Sequence, residues 1–191
     1  MEKQKKSGSA IFMYCVIGAT VALSTACFTL YYGGFFKSGA ILWTGVTAFT
    51  VMYHFWLRII MGNVTKLFPI RHDQGWFKQR FFEKTLYKWL RVRKWKEKVL
   101  TYDPQAFSTK LHSLEEIANT MAKVETDHWV NVLISLSTIL FGLFWGQLWI
   151  FLVTAIIGVL FDAQFIAVQR YNRPIVLRVI KRRAERAAKP V

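Results

Sequence analysis

The chain has 191 residues, 53% of them hydrophobic, and carries 26 Lys and Arg against 11 Asp and Glu, a formal net charge of +15. That length fits one domain. The apolar share excludes a disordered chain, and a mean hydropathy of +0.25 excludes an ordinary soluble domain, including a soluble nucleic-acid binder of equal charge. Cys15 and Cys27 allow at most one bridge, so a disulfide scaffold is excluded. Four histidines are too few for a multi-histidine di-iron site.

Greasy and basic residues are segregated along the chain. Residues 7–36 and 38–57 contain no charge. A bilayer core of about 30 Å takes roughly 20 helical residues to cross, so each run predicts one span, at 10–32 and 40–61. The stretch Tyr31-Tyr32-Gly33-Gly34-Phe35-Phe36 between them reads as a tight turn in the aromatic interface. A signal peptide does not fit the first run, whose apolar core is too long. Ser24-Thr25-Ala26-Cys27 is a poor lipobox, because Ser24 stands where Leu is wanted.

Between the second and third spans lies a long basic segment, 63–123. Within it, residues 76–100 set Trp76, Phe77, Phe81, Leu86, Trp89, Leu90, Trp95 and Val99 at near-helical spacing among nine Lys and Arg and two Glu. The pattern predicts an amphipathic helix lying in the membrane interface on anionic headgroups. No recognised nucleic-acid module accompanies it, so nucleic acid is not an expected partner. Tyr102-Asp103-Pro104 is a turn signal. Ser113 and Glu116 form a capping-box pattern, starting a helix that runs from Leu114 into the third span.

The last uncharged run, 128–161, has 34 residues with Gly142 and Gly146-Gln147 near its middle. It reads as a helical hairpin too short for two crossings. The spans must therefore extend to about 124–143 and 147–168, which draws Glu125, Asp127, His128 and Asp162 into the membrane or its boundary. Counting Lys and Arg places both termini and the middle segment in the cytoplasm. Only Lys37 then lies outside and only Arg58 within a span, and the basic tail 170–191 is cytoplasmic. The expected fold is an all-α integral membrane protein of four transmembrane helices, a single membrane domain in the cell membrane.

An ionisable side chain at membrane depth is costly and marks a functional site by default. His54 and Arg58 are spaced i,i+4 and share a face with Thr47 and Thr50. Glu125 and His128 are spaced i,i+3, so the carboxylate is expected to bond the imidazole and fix its tautomer. Asp127 points to a different face. Asp162 and Gln169 align at i,i+7, and Asp162 calls for a cation, Arg58 or Arg170. Next come Arg170-Tyr171-Asn172-Arg173, ended by Pro174. A carboxylate-oriented histidine can deprotonate a hydroxyl, and guanidiniums can hold phosphate or an oxyanion. Such a set suits transfer from a water-soluble activated donor to a membrane-embedded acceptor. The His-x4-Asp acyltransferase signature fails at all four histidines, and no phosphate-cradling Gly loop, serine elbow or metal-ligand cluster is present.

Val92-Arg93-Lys94-Trp95-Lys96, Tyr102-Asp103-Pro104, Glu125-x-x-His128 and Gln169-Arg170-Tyr171-Asn172-Arg173-Pro174 follow in this order and spacing. Together with Tyr53-His54-Phe55, Arg58 and Phe161-Asp162, they resemble the glycosyl-4,4'-diaponeurosporenoate acyltransferases of staphyloxanthin biosynthesis and their Gram-positive relatives. The resemblance covers roughly residues 50–186. It implies a membrane acyltransferase that places a fatty acyl group on a sugar hydroxyl of a glycolipid. Ile175 departs from the family, which usually has Arg after the proline, so an anionic donor would have to use Arg173 or Arg178.

On this reading His128 is the general base, oriented by Glu125, with His54 the alternative. Arg58, Arg170 and Arg173 hold the donor phosphate or oxyanion, Asp162 positions an arginine, and Gln169 and Asn172 contact substrate. Acyl-CoA or acyl carrier protein is the expected co-substrate, with no other cofactor and no metal. Two other readings stay open. One is a non-enzymatic membrane protein that binds anionic lipid or a partner enzyme through its basic segment. The other is a small methyltransferase with a cofactor pocket near residues 170–174.

Overall fold

The computed structural model describes residues 8–99 and 103–188. Tyr102 of the turn signal, the last residue of the 76–100 segment and the end of the basic tail after 188 lie outside the described residues. Four described helices are long and apolar enough to cross a membrane: Ile11–Tyr32, Gly39–Leu67, Leu114–Trp145 and Leu148–Ala187. The chain divides into two compact units, Met1–Met61 and Gly62–Val191.

The first unit holds α1 (Gly8–Tyr32) and most of α2 (Gly39–Val64). The chain turns between them through Gly34, whose φ of +82° needs a residue without a Cβ. The helices meet at Gly45. A Cβ there would lie 2.9 Å from the Cβ of Cys27 and 3.0 Å from the Phe28 ring. Phe28 also packs against Phe49, with ring centroids 6.2 Å apart. Thr47 and Thr50 bond carbonyls of their own helix, at Trp43 and Val46.

The second unit is built on α5 (Leu114–Ser137) against α7 (Leu148–Ala187). The capping box is present: Glu116 N–H donates to Ser113 Oγ (3.2 Å), and Ser113 N–H donates to Glu116 Oε2 (2.7 Å). From that start the helix runs unbroken past Glu125 and His128. Ala118, Ala122 and Ala155 are fully buried with Ile117, Phe151 and Ile166. Small residues let the two backbones approach closely, as membrane helices require. Ile157, Leu160 and Leu133 face outward, as lipid contact demands.

A 3₁₀ turn (Thr138–Phe141) and the single turn α6 (Gly142–Trp145) complete the first arm of the hairpin. It reverses at Gly146 (φ 70°, ψ −159°) and Gln147 (φ 52°). α7 then continues for 40 residues, about 60 Å at 1.5 Å per residue. It passes through Pro174 instead of ending there. The element 170–174 is therefore helical, and most of the basic tail is a rigid extension of the fourth span.

The basic segment differs from expectation. In place of one amphipathic helix over 76–100 there are a 3₁₀ turn (Gly75–Phe77), α3 (Glu83–Trp89), α4 (Val92–Trp95) and another turn (Lys96–Lys98). Left-handed Arg91 (φ 51°) separates α3 from α4. The buried face is Phe77, Glu83, Tyr87 and Val92, whereas Phe81, Trp89 and Leu90 are exposed. Spacing missed this because tertiary contacts compete for the backbone: the carbonyls of Trp76 and Phe77 bond arginines of α7.

Gly146→Ala is expected to destabilise the hairpin by about 1–3 kcal/mol, because its backbone sits in a region essentially restricted to glycine. Unfolding of the purified protein in detergent measures this.

Candidate active site

α5 and α7 run antiparallel, and their polar residues pair in two layers. The first layer is an ion cluster. Glu125 is fully buried; its Oε1 accepts from Arg170 Nε at 2.7 Å, and its Oε2 lies 2.7 Å from Arg173 Nη1. The second contact is an ion pair without hydrogen-bond alignment. Arg170 also donates from Nη1 to Glu83 and from Nη2 to the Trp76 carbonyl (2.6 Å). Arg173 Nη2 donates to the Phe77 carbonyl at 2.9 Å. The same guanidiniums stand over the Trp76 and Phe77 rings, 5.9 and 5.0 Å from the centroids.

Two acids meet two cations, so the buried cluster is neutral. The cost of removing such charges from water is offset only when geometry and hydrogen bonding are nearly complete. Here the two backbone carbonyls supply further acceptors, while Arg173 Nε and Nη1 stay buried without a hydrogen bond, Nη1 being held by its ion pair alone. Arg173 is only 2% exposed and Arg170 11%, so each guanidinium is held by protein groups. The pairs also fold the basic segment onto α7. Lys96 Nζ extends the clasp by donating to Asn172 Oδ1 at 2.9 Å, and Tyr87 meets Tyr171 edge-on at 6.3 Å. Burial, reinforced by the Glu83 carboxylate, pushes the Tyr87 phenol up to about 12.

The second layer is a histidine–carboxylate pair. His128 Nδ1 lies 2.8 Å from Asp162 Oδ1, and Asp162 is fully buried. Asn131 Nδ2 donates to the same oxygen at 3.4 Å. Phe165 stacks on the imidazole at 4.3 Å with only 2° between the planes. A carboxylate at Nδ1 holds that nitrogen as the N–H donor and leaves Nε2 as the basic nitrogen. The His128 side chain is 18% exposed, so the ring keeps an open edge.

Two expectations are corrected by this geometry. Glu125 does not orient His128, because both of its oxygens are engaged by Arg170 and Arg173. Arg170, in turn, pairs with Glu125 and Glu83 rather than with Asp162, whose carboxylate meets His128. Spacing i,i+3 within α5 suggested one partner, but the facing helix offered stronger ones. Gln169 is buried, and Asn172 is taken up by Lys96. Asp127 does face elsewhere, meeting Lys123 Nζ at 2.9 Å and Thr65 Oγ1 at 2.5 Å. His54 and Arg58 belong to the first unit, one turn apart on α2, with the Tyr53 ring edge-on to His54.

Sequence reasoning overlooked Glu83, Asn131 and Phe165. For Glu83 a signal existed, since it is one of only two acids among nine cations in its segment. Among the described residues no group of three or more His, Cys, Asp or Glu side chains could hold a metal ion.

The part-buried His128–Asp162 pair is carried by two helices long and apolar enough to span a membrane, in an all-helical protein. The family profile for glycosyl-4,4'-diaponeurosporenoate acyltransferase matches residues 73–182, all within the second unit. The enzyme of that name from Staphylococcus aureus strain MRSA252 is 30% identical over 156 residues, covering 72% of this chain and 92% of its own. The one from strain N315 is 30% identical over 154 residues, covering 69% and 89%. No solved structure matches the chain. The protein belongs to the glycosyl-4,4'-diaponeurosporenoate acyltransferase family and is an acyltransferase.

Glu125→Gln leaves two buried guanidiniums short of charge and is expected to cost about 3–5 kcal/mol. The exposed pair Lys181–Glu185, 3.9 Å apart, is the control: Glu185→Gln should stay within about 0.5 kcal/mol. Denaturant unfolding in detergent distinguishes the two.

Proposed function

We propose that the protein transfers a fatty acyl group from an activated thioester to a sugar hydroxyl of a glycosylated, carotenoid-type lipid, with His128 as general base. The observation that carries the mechanism is the 2.8 Å contact between His128 Nδ1 and the buried Asp162 carboxylate. His128 Nε2 takes the acceptor hydroxyl proton as the oxygen attacks the thioester carbonyl. The C–O bond forms, the C–S bond breaks, and the imidazolium returns its proton to the departing thiolate. Asp162 supports the imidazolium while the proton resides there. His54 is the alternative base. Arg170 and Arg173 act in this reading as braces, their charge being matched by Glu83 and Glu125.

The orientation that fits is the one with most Lys and Arg inside: both termini and the basic segment at the cytoplasmic face, and the site in that leaflet. Exposed Phe81 (94%) and Trp89 (78%), set among lysines and arginines, support contact of the segment with anionic headgroups. A non-enzymatic lipid-binding role would use the same face, but it leaves the His128–Asp162 pair without a task.

Purified protein supplied with labelled acyl donor and a glycosylated carotenoid extract tests the reading. His128→Ala should lower kcat by about 10²–10⁴-fold, and Asp162→Asn should lower it by a smaller factor. Transfer undiminished in His128→Ala combined with His54→Ala would falsify the assignment. Phe81→Ser with Trp89→Ser should weaken binding to vesicles containing phosphatidylglycerol several-fold, by about 1 kcal/mol or more, without altering the fold.

A further inference from the structure

The folded-down basic segment and the last part of α7 border a half-open concavity of about 700 Å³, within the roughly 300–1,000 Å³ usual for small-molecule sites. Six cations line it: Lys84, Lys88, Arg91, Arg93, Lys94 and Arg178. No carboxylate is among its lining residues. Elsewhere in this unit the buried arginines have acids of their own; here positive charges converge on a space with no matching acid. Such a cavity focuses its field on an anion.

The backbone supports a built site. Arg91 adopts φ 51°, a left-handed conformation uncommon for a side chain of this type and one that clusters at ligand sites. That turn reverses the chain so that α3 and α4 both reach the cavity. Arg178 is steadied by its Nε, which donates to the Pro174 carbonyl at 3.3 Å. Tyr87 and Tyr171 also line the wall, and the raised phenol of Tyr87 stays a neutral hydrogen-bond donor at physiological pH.

Position narrows the ligand. Tyr171 and Arg178 lie nine and sixteen residues beyond Asp162 on the same helix, about 13–24 Å at 1.5 Å per residue. A molecule held here and reacting at His128 needs a polyanionic head and a long arm. We propose that the cavity binds the phosphorylated nucleotide head of an acyl-coenzyme A donor, with the pantetheine arm spanning the distance to His128. The nucleotide's phosphates meet the six cations. A cationic cofactor such as S-adenosylmethionine would meet like charge. The assignment rests on the acyl-transfer reading for its reaction but not for its binding.

The test uses the full chain in phosphatidylcholine nanodiscs, with coenzyme A as the binding probe and a long-chain acyl-CoA as the substrate. Coenzyme A should bind, more weakly as salt rises. Lys94→Glu with Arg178→Glu should weaken binding at least about tenfold. The same pair should raise KM for acyl-CoA comparably, with kcat at saturating donor kept within about twofold. Lys94→Gln with Arg178→Gln gives a milder loss and serves if charge reversal lowers the unfolding midpoint. His128→Ala should keep wild-type affinity for coenzyme A while losing turnover, so failure of the base assignment appears in kcat and failure of the cavity assignment in binding. Three results overturn the proposal: equal coenzyme A affinity in the wild type and both cavity variants; turnover of acyl carrier protein but not acyl-CoA; or reduced binding to phosphatidylglycerol vesicles with coenzyme A affinity intact, which would assign the cavity to a lipid headgroup.

Discussion

Glu125 is an ionised-type side chain with no exposure at all, on a helix long and apolar enough to cross a bilayer, and what makes that burial tolerable is the pair of guanidiniums presented by consecutive turns of α7. Arg170 and Arg173 neutralise it and then reach past it, to Glu83 and to the carbonyls of Trp76 and Phe77. One acid therefore joins three parts of the chain: the third long helix, the fourth, and the basic segment that precedes both. Without that junction the segment has little reason to fold against α7. It carries too many like charges to condense alone, and its short helices fall well below the length at which an isolated helix is stable.

The junction also separates tasks among the arginines. Those at 170 and 173 are used within the protein and cannot at once serve as a mobile clamp for phosphate. Their neighbours on α3, α4 and the far end of α7 keep their charge available. One turn along α5 from Glu125, His128 meets a different acid, Asp162, in a setting that aligns the ring by stacking and by a hydrogen bond. Asp162 with the imidazole it meets, the braced Arg170 and Arg173, and then Arg178 at the cavity thus succeed one another along α7. A continuous helix through Pro174 keeps that order rigid. A break at the proline would have let the basic end swing free.

Much of this was legible before any coordinates. Charge-free runs marked the helices long and apolar enough to cross a membrane, because lipid tolerates so few ionised groups. Ser113 and Glu116 marked the helix start because a capping box is a local arrangement. The shortage of residues in 128–161 extended the hairpin's two helices past Glu125, His128 and Asp162, and α5 and α7 do run through all three. The pairing among these residues was not legible. Glu125 lies equally well placed for His128 in its own helix and for two arginines of another, and sequence spacing carries no information about the facing helix. The segment 76–100 misled for a related reason: its period is helical, yet its backbone acceptors are claimed by side chains ninety-odd residues away.

What the sequence by itself determined is thus the set of long apolar helices, the position of the hairpin and the presence of ionisable residues on its two helices. Each of these follows from the cost of placing charge or unpaired backbone in an apolar medium. The tertiary structure alone decided which carboxylate meets which cation, which histidine nitrogen meets a carboxylate, and which cations line a cavity without an acid. Those outcomes depend on how two antiparallel helices register against each other, a matter of side-chain packing between distant stretches that no local pattern encodes.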